Sequence, residues 1–313
     1  MKKLISILGS TGSVGLSTLR IVDTKKKILK PYIFMADKNY SMILKQIKKY
    51  KPKYFIINDK SVYYKIKKKL SNNRVTILNN IEKLKIKKKT DITVSAISGI
   101  SGLSPTLKLI KISKKILIAN KESIICGWDI IKKDAKKYKS VLIPIDSEHF
   151  SILKLLENHN LDEIKKIYLT ASGGPFLNYK LNKLKHVSPK DALKHPKWKM
   201  GKKVTIDSST LMNKVLELIE AQKFFNIPKK KLDILIHPNS LVHAIIKLKN
   251  GLTKLLYHET SMKIPLANAI FDGNLKIDDF IKIKKNKTFH NLYFNKINKN
   301  IFPSINLKDK MTQ

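Results

Sequence analysis

The chain has 313 residues, 42% of them hydrophobic, which is enough for two domains with cores of their own. No apolar run reaches the ~20 residues of a membrane span. Lys2 and Lys3 precede an apolar run that Gly9 cuts short, so no signal peptide is expected. The formal charge of +41 invites a nucleic-acid reading, but lysines scattered over the whole chain supply it and Arg20 and Arg74 are the only arginines. That distribution reads as a solvated lysine surface, not as an arginine-rich and aromatic nucleic-acid face. The single Cys126 excludes an internal disulfide and fits a reducing, cytoplasmic compartment.

In chain order, Leu4 to Leu8 predict a strand, Gly9-Ser10-Thr11-Gly12-Ser13-Val14-Gly15 a tight turn, and Leu16 to Val22 a helix. Such a turn lets a pyrophosphate approach the backbone and the free amides of the helix start. The next strand, Tyr32 to Ala36, ends in Asp37-Lys38-Asn39, where this fold distinguishes a ribose hydroxyl from a 2′-phosphate. Lys38 and Asn39 suit the phosphate and Asp37 the hydroxyl, so position alone leaves the choice open. Strands are predicted at 54–57, 75–78, 92–96, 116–119 and 141–145, alternating with lysine-rich amphipathic helices. This pattern predicts an α/β, Rossmann-like parallel sheet with ligands at the carboxyl ends of its strands.

The character changes after Asp146-Ser147-Glu148-His149. Asp146 and Glu148, read as the extended exit of a strand, share a face. Two carboxylates side by side repel unless a cation joins them, and hard oxygen ligands suit Mg²⁺ or Mn²⁺. A helix from Ser151 and a strand from Ile167 to Thr170 lead into a long irregular segment, 171–203, with Gly173-Gly174-Pro175 and His195-Pro196-Lys197-Trp198. Trp198 has no periodic pattern to bury it, which predicts a lid that folds an indole over substrate. His149 reads either as a supporting residue or as an ordinary satisfied polar group. Asp207 to Glu217 predict the start of one amphipathic helix, with Ser208, Asn213 and Lys214 as a phosphate cradle and Glu217 one turn on as a metal ligand. Strands follow at 234–236 and 242–247, the latter joined to 252–257 by the hairpin signal Asn250-Gly251. Beyond about 285 the chain is Lys/Asn-rich with weak periodicity.

Six blocks carry a resemblance: GSTGSVG at 9–15, ANKES at 119–123, PIDSEH at 144–149, TASGGPF at 170–176, HPKWKMGKKVTIDSSTLMNKVLELIEA at 195–221, and IHPNSLVHAII at 236–246. In order and spacing, from residue 1 to about 270, they resemble the 1-deoxy-D-xylulose 5-phosphate reductoisomerase family. The resemblance implies NADPH, one divalent cation (Mg²⁺, Mn²⁺ or Co²⁺), and conversion of deoxyxylulose phosphate to methylerythritol phosphate on the route to isoprenoids. It implies Asp146, Glu148 and Glu217 as metal ligands, and Lys121, Ser147, Ser172, His195, Trp198, Ser208, Asn213 and Lys214 as substrate contacts. Lys121, Asp146, Glu148, His195 and Glu217 carry the chemistry in this reading. Thr11, Gly12, Ser13, Val14, Lys38, Asn39, Asn120, Glu122 and Gly201 match cofactor positions.

The expected organisation is an NADPH-binding domain at 1–146 and an α+β catalytic domain at 147–285, with a lid and a dimerisation sheet that make a homodimer. Residues 286–313 are expected to be a shortened tail in place of the family's C-terminal helical domain. Asp37, Ser209 and Val215 depart from the family's usual residues. A non-catalytic remnant, another NAD(P)-linked oxidoreductase, and a basic nucleic-acid-binding protein are the alternatives. Retention of all three carboxylates speaks against the remnant.

Overall fold

The computed structural model describes residues 2–70, 74–86, 88–198, 201–281 and 291–311. They form two compact units, one built from the described residues of 1–145 and 265–282, the other from those of 146–264 and 283–313.

In the first unit, β1 (Lys3–Leu8), α1 (Ser13–Thr24), β2 (Leu29–Ala36), α2 (Tyr40–Tyr50), β3 (Tyr54–Ile57), α3 (Lys60–Lys69) and β4 (Thr76–Leu78) make the first half. β5 (Thr90–Ser95), α4 (Leu103–Ile110), β6 (Ser113–Ile118), α5 (Lys121–Tyr138) and β7 (Val141–Pro144) make the second. The seven strands run in the order β4-β3-β2-β1-β5-β6-β7, and every pairing is parallel. Strands buried on both faces read as unbroken apolar runs, as Ile33, Phe34, Met35 and Ala36 do in β2. The order reverses between β1 and β5, which places the glycine turn after β1 at the switch point.

The second unit holds α6 (Ser147–Leu156), β8 (Ile164–Ala171), α7 (Leu181–Leu184), α8 (Pro189–Ala192), α9 (Lys202–Ser209) and α10 (Met212–Phe225). Its remaining strands are β9 (Leu232–Ile236), β10 (Val242–Leu248) and β11 (Thr253–Tyr257). They form a four-stranded sheet, β11-β10-β8-β9, antiparallel except for the β8–β9 pair. The Asn250-Gly251 signal does close a β10–β11 hairpin, with Gly251 at φ +91°. Val215, Leu218 and Ala221 of α10 join Ile167, Leu169, Ile234 and Ile246 of the sheet in one core. The last helix, α11 (Lys263–Phe271), lies mainly in the first unit.

Four sequence expectations need correction. The signature segment is two helices, not one: α9 ends at Ser209, and Leu211 stands in the left-handed region at φ 59°. Ser209 and Thr210 turn their hydroxyls onto the carbonyls of Ile206 and Asp207, which competes with helix continuation. The strained conformation costs about 1–2 kcal/mol, offset by burial of the Leu211 side chain, which gives about 2 kcal/mol. Second, α6 begins at Ser147, not Ser151, with Asp146 at its N-cap. Asp146 and Glu148 therefore flank a helix start rather than sharing a strand face. Third, 171–203 is not wholly irregular: Ser188 and Asp191 form a capping box around Pro189 and start α8. Fourth, the Lys/Asn-rich end is packed. Asn295 bridges to Ile236, and Phe302 and Ile305 are buried in the second unit's core.

Candidate functional site

One carboxylate oxygen from each of Asp146, Glu148 and Glu217 lies within 4.8 Å of the other two. Helix geometry brings them together. Asp146 and Glu148 open α6, and Glu217 projects from the second turn of α10. Three anions this close are unstable without positive charge, and the chain's own stand-in is Lys214. Its Nζ is 2.7 Å from Glu148 and 2.6 Å from Glu217, with almost no solvent exposure. Those carboxylates hold the Lys214 ammonium well above its ordinary range against the pull of burial. Burial drives the Glu148 carboxyl up to about 8, Lys214 opposing and Glu217 and Asp146 reinforcing the rise. An all-oxygen set that already gathers a cation fits a hard divalent metal. A second trio, Asp146, His149 and Glu220, meets the same distance criterion. There His149 Nε2 lies 2.9 Å from the Glu217 carbonyl, which can only accept, so that nitrogen is the donor and Nδ1, 3.5 Å from Glu220, is the ring's acceptor.

Around the carboxylates the polar side chains are partly committed. Ser147 Oγ donates to Glu148 at 2.7 Å, and Asn213 Nδ2 donates to Glu217. Ser172 leaves the end of β8 next to Gly173 and Gly174, both at positive φ. A Cβ on Gly174 would come within 2.8 Å of the Ser208 carbonyl, so this glycine lets the turn press against the end of α9. Ser208 is thus at a helix C-terminus, while Asn213 and Lys214 are in the first turn of α10, so the predicted single helix-start cradle is instead divided between two helices. His195 Nε2 lies 3.1 Å from Ser172 Oγ. Burial, aided by the Lys214 charge, lowers the His195 pKa to about 4, so the ring is neutral at ordinary pH. A cavity of about 400 Å³ opens here, lined by Ser172, Gly174, Asp191, Lys194, Pro196 and Lys197 among others.

Trp198 is half-buried and has a protein partner that its sequence context does not predict: its ring meets His243 edge-on, with centroids 6.0 Å apart. His243 in turn stacks on His258 at 3.8 Å. These two histidines, and Glu220, were not singled out from the sequence. His243 lies in one of the quoted blocks, but no spacing links it to Trp198. Gly201 caps the start of α9, and neighbouring Lys199 and Met200 lie outside the described residues.

In the first unit, the turn at 9–15 fits a pyrophosphate cradle. Gly9 has φ +82°, and a Cβ there would sit 2.6 Å from the Ala96 carbonyl. The start of α1 has no side-chain cap and no acidic residue, so its amides face outward around Thr11, Gly12, Ser13 and Val14. Gln46 exchanges two hydrogen bonds with Ser10 and pins the turn. Asp37, Lys38 and Asn39 are exposed after β2, with Asn39 capping α2. Asn120 is buried and its amide is spent: Nδ2 donates to the Ile97 and Gly99 carbonyls, and Oδ1 accepts from Ser123. Lys121, also buried, and Glu122 follow it in the first turn of α5.

Comparison with known proteins agrees in both units. The model of the family described as 1-deoxy-D-xylulose 5-phosphate reductoisomerase matches residues 5–127, and that of its C-terminal domain matches 142–225. A 1-deoxy-D-xylulose 5-phosphate reductoisomerase of Pelagibacter ubique is 49% identical over the whole of this chain and 81% of its own length. A crystal structure of DOX-P reductoisomerase with NADPH, fosmidomycin and magnesium superposes with a TM-score of 0.90 at 31% identity, covering 98% of this chain and 79% of that one. The Zymomonas mobilis enzyme in complex with NADPH gives 0.85 at 28% identity, covering 99% and 81%. With this identity spread over its full length, the chain belongs to the 1-deoxy-D-xylulose 5-phosphate reductoisomerase family.

Proposed function

We propose that this chain converts 1-deoxy-D-xylulose 5-phosphate to 2-C-methyl-D-erythritol 4-phosphate, using NADPH and one divalent cation. The observation that carries the reading is the convergence of Asp146, Glu148 and Glu217 around a buried ammonium. These three would hold the cation, which when bound polarises the substrate carbonyl and stabilises developing alkoxide charge. NADPH, when bound, supplies the hydride. Its pyrophosphate would meet the amides at 11–14, and Lys38 and Asn39 would meet the 2′-phosphate, with Glu122, Gly201 and the main chain of Asn120, whose side chain is committed, as further contacts.

The chain's own residues bind, orient and exclude water. Ser172, Ser208, Asn213 and Lys214 present two hydroxyls, an amide and a charge to the phosphate and hydroxyls of the substrate. His195, neutral, donates a hydrogen bond rather than a charge. Lys121 and Ser147 complete the substrate contacts, Ser147 through the carboxylate it braces. Trp198 shields the carbon skeleton from water during reduction. In the same reading the 1–146 region is the NADPH-binding domain, 147–285 the catalytic domain and 286–313 the closing tail.

The enzyme works in the cytoplasm as a homodimer joined through β11, an edge strand with Leu255 exposed. None of the described helices is long and apolar enough to cross a membrane. The test is NADPH absorbance with purified protein, deoxyxylulose phosphate and Mg²⁺ or Mn²⁺. Loss of absorbance that needs both substrate and cation supports the reading, and a flat trace with both present opposes it.

A further inference from the structure

The turn at 195–198 is held by a side chain, not by secondary structure. The main-chain amides of Lys197 and Trp198 point at His195 Nδ1, at 3.2 and 2.9 Å. A neutral imidazole has one donor and one acceptor nitrogen. Two N–H groups directed at Nδ1 make it the acceptor, so the proton is on Nε2, which faces Ser172 Oγ at 3.1 Å. Ser172 Oγ also accepts from the amide of Gly174. A hydroxyl that accepts twice still has its own proton to give, and that proton is left for an anionic ligand.

We infer that His195 is a positioning residue for Trp198: its Nδ1 folds the 195–198 turn in the manner of an Asx-turn, and this use of Nδ1 dictates the Nε2–H tautomer at Ser172. One ring thereby ties the substrate-facing hydroxyl to the backbone that carries the indole. The geometry matches the residue-plus-two and residue-plus-three amide pattern that Asn and Asp side chains make in turns. Beyond the turn, the indole edge rests on His243, itself stacked on His258. A proton on Nδ1 would remove both acceptor contacts at once. The burial that keeps the ring neutral therefore supports the arrangement. The structural assignment stands on its own contacts, and its consequence for turnover rests on the reductoisomerase reading.

Two substitutions separate the ring's nitrogens. His195→Asn places an amide oxygen near the position of Nδ1 and abandons Nε2. His195→Gln reaches the position of Nε2 and abandons Nδ1. The full-length protein is used, without substrate, in a Trp128→Phe background so that emission reports Trp198 alone. Hydrogen exchange of the 197 and 198 amides is read beside the fluorescence.

The expected result is that Asn keeps exchange near that of His195 and retains the emission maximum. Gln should speed exchange about tenfold, as loss of a hydrogen bond does, and shift the emission to the red. Ser172→Ala, which removes only the Nε2 partner, should behave like Asn. Equal behaviour of Asn and Gln, whether both keep or both lose protection, overturns the assignment. In turnover, Gln should raise KM and lower kcat together, whereas Asn should act mainly on KM. Because the exchange arm needs no substrate, it decides the assignment even for an inactive protein.

Discussion

Replacing Lys214 with methionine tests the idea that Asp146, Glu148 and Glu217 form a cation site. Methionine keeps much of the apolar stem and removes the ammonium that lies 2.7 Å from Glu148 and 2.6 Å from Glu217. Breaking a buried ion pair on one side costs about 3–5 kcal/mol. The remaining carboxylates lie within 4.8 Å of one another, and each pair of charges about 4 Å apart repels by roughly 4 kcal/mol at an effective dielectric of about 20. The variant should hold the Glu148 proton to higher pH than the parent, because the Lys214 charge that lowers that pKa is gone, and, without metal, melt about 6–20 °C lower, from a sensitivity of about 2–4 °C per kcal/mol.

A divalent cation should then substitute for the missing ammonium. At a hundredfold excess over Kd it contributes about 2.7 kcal/mol, so Mg²⁺ or Mn²⁺ should raise the melting temperature more in Lys214→Met than in the parent. The assay is thermal unfolding with and without metal, followed by circular dichroism. An unchanged melting temperature without metal, together with an equal metal-induced rise in both proteins, would refute the reasoning.

Cation affinity should rise with pH and level off above about 8, because the raised Glu148 pKa makes a proton compete with metal below that value. In the metal-free protein the sign is opposite. The stabilising contribution of that proton is fully present below the unfolded-state value near 4.5 and is lost as pH rises through about 8, which calorimetry at pH 4, 7 and 9 will show. Asp37→Gly should widen the preference for NADPH over NADH if, as proposed, the exposed Asp37 stands against the 2′-phosphate and Lys38 for it; an unchanged ratio of kcat/KM values removes Asp37 from the ribose contact. Phe302→Ala should destabilise the protein by about 3–5 kcal/mol in urea unfolding, because that ring is 1% exposed within the second unit's core; a loss below about 1 kcal/mol would mean the tail adds little.

The parallel sheet was legible because strands buried on both faces show as short apolar runs between amphipathic helices, and the glycine turn because Gly9 and Gly15 lie where a Cβ would strike backbone. The hairpin at 250–251 was legible from its turn residues. The break at Leu211 was not. Leu211, Val215 and Leu218 keep the spacing of one helical face, and a leucine with positive φ leaves no local signal. The start of α6 leaves a weak local signal, because Asp146 stands at its N-cap without a side-chain capping hydrogen bond.

In the site, the convergence of Asp146, Glu148 and Glu217 involves carboxylates that the sequence does single out. The seat of Trp198 could not be read from sequence, because His243 comes from the distant β10 and meets the indole only through tertiary packing, with His258 stacked behind it. The buried tail was missed for the same kind of reason. Ile301, Phe302 and Ile305 are a few apolar residues in a segment rich in lysine and asparagine, and their burial depends on the core of the second unit.

Manganese binding followed by electron paramagnetic resonance tests the central claim most directly, because it needs neither substrate nor turnover. The account predicts one tight Mn²⁺ per chain. Glu217→Gln, Asp146→Asn and Glu148→Gln should each weaken that binding at least tenfold, while NADPH binding, followed by its fluorescence, stays within about twofold in Glu217→Gln. Retention of parental Mn²⁺ affinity by the three single variants would contradict it.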